Sequence, residues 1–159
     1  MQKITTKKAW QMGLVLVCAA VAEQALAHTQ NGSLTLASGV SATDYYQVTC
    51  SSETDGTATV NLFFQIRDLT AGGNLVGMSV VKADAPANKA AYTTIDSVGG
   101  TANTVYSPGI NMPGGNGVYN VLVWHTGVAA TESYTFDYHC QNADGSVHTP
   151  TSILRISNQ

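Results

Sequence analysis

Basic residues are scarce in this sequence, with only 7 Lys and Arg against 10 Asp and Glu in 159 residues. Nucleic acids and anionic membrane surfaces are held through clustered positive charge, so neither suits this chain as a partner. Long apolar runs are also missing. The stretch Met12–Ala22 falls short of the roughly 20 residues that a helix needs to span a bilayer. No Gly-x-Ser-x-Gly elbow prepares a serine nucleophile, and no glycine-rich loop leads into a helix to cradle phosphate. Enzyme chemistry therefore has no anchor in a motif, and a non-catalytic role is the leading expectation.

What is present begins with an export pattern. Lys3, Lys7 and Lys8 precede the apolar stretch, Glu23 and Gln24 follow it, and Ala25-Leu26-Ala27 places small residues where signal peptidase reads. Residues 1–27 are thus expected to be a cleaved signal peptide, and 28–159 a single domain, periplasmic or secreted, with no membrane span after cleavage. That segment keeps four basic residues (Arg67, Lys82, Lys89, Arg155) against nine acidic ones, a net charge of −5 with histidine neutral. Cleavage removes Cys18. Cys50 and Cys140 remain, and an even count in an oxidising compartment predicts a disulfide.

Period-two alternation dominates the rest. Tyr46, Val48 and Cys50 share one parity; so do Val60, Leu62, Phe64 and Ile66; so do Tyr134, Phe136, Tyr138 and Cys140. Successive side chains of a strand point to opposite faces, so these sets face a core, and both cysteines fall on inward parity. Further strands are expected at 31–37, 75–83, 91–98, 103–107, 117–126 and 151–157, punctuated by Gly and Pro, with the glycine-rich stretch 109–117 as a loop. The fold class is all-β, a small antiparallel Ig-like β-sandwich with one disulfide. Tyr138-His139-Cys140 matches the immunoglobulin arrangement of a Tyr two residues before the second Cys, although Phe63 and Phe64 stand where its Trp is expected.

Cleavage after Ala27 would make His28 the first residue. A terminal histidine offers its α-amine and its imidazole to one ion, and a second imidazole completes three nitrogens in a plane, a set that suits Cu(II). His125 and His139 are the equal first choices for that partner, with His148 behind them. His139 has outward parity, and His125 ends the strand beside Trp124. Asp44, Glu53 and Asp55 are a further carboxylate group near strand ends. Asn142-Ala143-Asp144-Gly145 offers oxygens for calcium, although turn chemistry explains an Asp-Gly pair without a metal.

His28 together with the strand Gly117-Val118-Tyr119-Asn120-Val121-Leu122-Val123-Trp124 and Ser133-Tyr134-Thr135-Phe136 resembles the CopC-like periplasmic copper-binding proteins. That resemblance implies copper as the cofactor. The family's Asp-x-His ligand pair has no counterpart here, where the intervening stretch reads Gly127-Val128-Ala129-Ala130-Thr131-Glu132. Lytic polysaccharide monooxygenases share the terminal histidine but are longer chains. A copper carrier or sensor is therefore the first functional expectation, with a copper-dependent oxidase as a variant of it. The alternative is a structural or adhesive exported module without metal: a fibre subunit, surface component or carbohydrate binder presenting Tyr92, Tyr106 and Trp124. The partner is accordingly a metal ion or an exported or surface molecule.

Overall fold

The computed structural model describes residues 28–72, 74–82, 91–96 and 104–159. The expected signal segment lies outside them. Among the described residues, ten strands form two antiparallel sheets. The first runs in the order β1 (His28–Leu34), β8 (Glu132–Gln141), β3 (Asn61–Asp68), β6 (Ile110–Pro113), with β9 (His148–Thr149) also on β8. The second runs β10 (Thr151–Ser157), β2 (Thr43–Cys50), β7 (Gly117–His125), β4 (Val76–Lys82), β5 (Ala91–Ile95). A short 3₁₀ turn, Leu36–Ser41, carries the chain from the first sheet to the second. Among the described residues no helix is long and apolar enough to cross a membrane.

The core forms where the alternating sets meet. Leu62, Phe64 and Ile66 of β3 and Tyr134, Phe136 and Tyr138 of β8 pack against Tyr46 and Val48 of β2, Val121 and Val123 of β7, and Met78 and Val80 of β4. Tyr46 meets Phe136 edge-on, with ring centroids 5.2 Å apart. Burial of each such apolar side chain contributes on the order of 1.5–3 kcal/mol. Val60 is the exception to the expected set: it precedes β3 and is 39% exposed.

Two links join β2 to β8 across this core. At one end Cys50 and Cys140 form the disulfide, with Cα atoms 5.6 Å apart and a sequence separation of 90. A loop of that length corresponds to roughly 4–5 kcal/mol of chain entropy removed from the unfolded state. At the other end the fully buried Asp44 of β2 accepts a hydrogen bond from the Tyr134 hydroxyl of β8. The Tyr46 and Tyr134 hydroxyls lie 2.7 Å apart, and the Gln159 amide donates to the second Asp44 oxygen at 2.7 Å. The carboxylate is thereby satisfied without a cation, and the chain's last residue is held against the core.

Two expectations about elements are corrected. The stretch 109–117 is not all loop, because Ile110 and Met112 alternate with Asn111 and let β6 pair with β3, burying Met112. β6 is an edge strand, where Pro113 costs no ladder bond. Residues 104–107 form no strand; Ser107 instead joins β3 through its amide to the Ile66 carbonyl (2.7 Å) and through its hydroxyl to the Ile66 amide (3.0 Å).

Removing the Tyr134 hydroxyl takes a donor from a buried carboxylate. Tyr134→Phe is expected to lower unfolding free energy by about 1–3 kcal/mol in urea titrations, with the disulfide intact. An unchanged midpoint would show that Asp44 does not depend on this bond.

Candidate functional site

The pairing of β8 decides which histidines meet. Its one flank is covered by β3 from Tyr134 to Gln141, so β1 and β9 must share the other. They follow one another along it: His28 sits opposite Tyr138, and His148 opposite Gln141. His139 lies on β8 between these two positions. Three of the four histidines therefore gather at the disulfide end of one sheet, and the turn that returns the chain as β9 brings the one ranked lowest.

His139 is 8% exposed on the outward side of the sheet. Its ring stacks on Phe63 of β3 (centroids 4.7 Å apart) and on His148 of β9 (3.9 Å). The Gln141 amide nitrogen donates to Asn111 Oδ1 at 2.6 Å, so its carbonyl oxygen faces His139 Nε2 at 3.1 Å and Nε2 must carry the proton. Nδ1 is then a bare lone pair, and it is buried without a partner, as is His148 Nδ1. Burial pushes the His139 imidazole down to about 4, with the charge of His148 and, more weakly, that of His28 adding to the effect. His148 is lowered too, by burial and then by His28. Both rings are thus neutral at pH 7, the state that can give a lone pair to a metal.

His28 is exposed, and its ring stacks on Tyr138 with centroids 5.5 Å apart. Opposed residues of an antiparallel pair share a face, so this ring leans toward the inward side while His139 and His148 lie outward. Among the described residues no group of three or more His, Cys, Asp or Glu side chains is arranged to hold a metal ion.

His125 does not join this group. It ends β7 opposite Val76, and the next residue, Thr126, accepts a hydrogen bond from the Leu75 amide at 3.0 Å. Asn74, one residue earlier, donates to Glu132 at 2.8 Å. Glu132 opens β8, six residues and thus about 20 Å from Tyr138. The pairing of His28 with His125 is therefore corrected: they occupy opposite ends of the sandwich. His125 has inward parity and is buried, with Nδ1 3.1 Å from the Thr126 carbonyl. At that end Asp68 and Glu132 are also buried, and each keeps one carboxylate oxygen without a partner. Burial pushes the Asp68 carboxyl up against the pull of the Thr70 amide, and the charges of Glu132 and Asp96 add to the rise.

The other carboxylate groupings dissolve. Asp44 lies at the opposite end of β2 from Glu53 and Asp55. Asp55 accepts from the Thr57 amide at 2.8 Å, and Asp144 from the Ser146 amide at 3.0 Å, each within its own turn. No protein-family model matches the chain, and a search of curated proteins finds no match either.

Two pH effects follow for the metal-free protein. The folded His139 stays neutral down to about pH 4 while the unfolded one takes up a proton near 6.5, so stability is lost as pH falls through that window. His139→Phe, which keeps a ring in the stack, is expected to flatten the loss by at most about 1.4 kcal/mol per pH unit in melting curves from pH 7.5 to 4.5. A slope unchanged by the substitution would remove His139 as its source. The sign reverses for Asp68, whose raised carboxyl opposes folding as pH rises through its titration. Asp68→Asn keeps the acceptor for Thr70, and is expected to raise the melting temperature at pH 7.5 more than at pH 4.

Proposed function

We propose that this is an exported Cu(II)-binding protein, a carrier or sensor, whose site is completed by cleavage after Ala27. The α-amine and imidazole of His28 supply two nitrogens, and His139 Nδ1 supplies the third. The observation that carries this reading is the state of His139: its proton is held on Nε2 by a Gln141 oriented in turn by Asn111. That leaves a buried lone pair with no donor, one register position from the first residue of β1. A ligating histidine whose other nitrogen is fixed by a hydrogen bond is the arrangement metal sites use. Three nitrogens in a plane suit Cu(II) above the other common divalent ions.

The side chains alone do not form the set, and on this reading they need not. The amine exists only when the chain starts at His28, and a terminal residue is free to swing its ring from Tyr138 toward the outward side. His148 then packs against the ligand ring rather than coordinating. Loss of His148, the histidine ranked behind the other two, would thus disturb the position of His139, not the donor count.

Processed protein is expected to take up one equivalent of Cu(II), with an electron paramagnetic resonance spectrum of nitrogen ligation. One extra alanine ahead of His28 should weaken binding by roughly 100-fold, and His139→Phe by at least about tenfold. His125→Phe should leave affinity unchanged. Equal affinity in the processed and extended forms would refute the terminal site.

A further inference from the structure

The outward face of the second sheet is the other surface with a chemistry of its own. Among the described residues, not one outward-facing side chain on its five strands is charged. This is true although the whole chain carries a net charge of −3. Trp124 of β7 lies flat across Gly77 of β4: a Cβ at Gly77 would stand 2.5 Å from the indole. The indole N–H donates to Ser79 Oγ at 3.1 Å, which pins the ring flush with the sheet and leaves it half-buried. Beside it, the Tyr45 hydroxyl donates to Asn120 Oδ1 at 2.7 Å and accepts from the Gln47 amide at 2.9 Å. Those bonds engage Asn120 through Oδ1 and Gln47 through Nε2, and so fix how the two amides are turned. Leu122 and Leu154 stand in the same rows, 37% and 60% exposed.

We infer that this face binds a neutral polysaccharide chain. With no charge outward on its described strand residues, that surface offers no electrostatic attraction for nucleic acid, anionic lipid or a charged peptide. It matches a ligand that is itself uncharged and covered with hydroxyls. Aromatic rings carry much contact area at little entropic cost, and one fixed flush with a sheet offers a flat apolar surface to the CH face of a sugar ring. The ordered Tyr45–Asn120–Gln47 group offers donors and acceptors alongside it. Such a mixture of flat apolar area and preset polar groups is what gives a binding site both affinity and orientation. The face belongs to the sheet opposite His139, so this inference does not rest on copper binding and the two can fail separately.

The processed protein is to be tested for retention on microcrystalline cellulose and chitin, and for retardation in gels containing galactomannan, xyloglucan or starch. The expected result is binding to at least one of these, weakened at least about tenfold by Trp124→Ala and by Leu122→Glu. Because Trp124→Ala also uncovers Gly77, Leu122→Glu is the deciding variant, with its melting temperature expected to match the parent. Copper should not be required. Indifference to all five polysaccharides would overturn the inference, as would binding that survives Leu122→Glu. A dimer in sedimentation equilibrium that Leu122→Glu dissolves, without polysaccharide binding, would also overturn it and make the face a contact between copies.

Discussion

Everything in this sandwich hangs on two strands that never pair with each other. β2 belongs to one sheet and β8 to the other, and they run the same way across the core. At one end the Cys50–Cys140 bond ties them, and at the other the Asp44 carboxylate holds the Tyr134 hydroxyl. Six residues separate the two ties on each strand, about 20 Å of extended chain. Between them lie Tyr46, Val48, Phe136 and Tyr138, so the apolar core is clamped at both rims. The covalent tie acts on the unfolded chain by shortening its loops. The polar tie acts on the folded state alone, by satisfying a carboxylate that burial would otherwise penalise.

β8 also organises what faces outward. Its inward residues build the core, and its outward ones carry His139 beside Asp137, which accepts from Thr29, Gln65 and Tyr106. A strand paired along its whole length on one side and shared between two partners on the other creates a junction. That junction, where β9 stops and β1 starts, is where His28, His139 and His148 gather. At the other end of the sandwich, Asp68 and Glu132 are buried, each with one carboxylate oxygen that has no hydrogen-bond partner.

Alternation makes much of this legible in the sequence. The inward parity of Cys50 and Cys140 follows from spacing alone, as does the outward position of His139. Parity says which face a side chain takes, but not which end of the sandwich it reaches. That is why His125, inward and at the far end, looked as good a partner for His28 as His139. Nothing in the sequence raises His148 above the other two, because its position depends on β9, a strand of two residues that follows the Asn142–Gly145 turn and is too short to leave a pattern. β6 was hidden by the prolines and glycines around its two apolar residues. Asp44 sits among polar residues in sequence, and nothing local foretells a phenol from position 134 closing over it.

The pairing scheme has a consequence for how the chain becomes this structure. β1 waits for β8, more than 100 residues later, and the far flank of β2 waits for β10, the last strand. In a growing chain β1 has no partner until β8 has appeared, and β2 can pair with β7 before its other flank is covered. Folding therefore comes late and depends on distant segments finding one another, the circumstance that makes all-β proteins slow. Until then β1 and one flank of β2 are open edges, able to pair with whatever else is within reach.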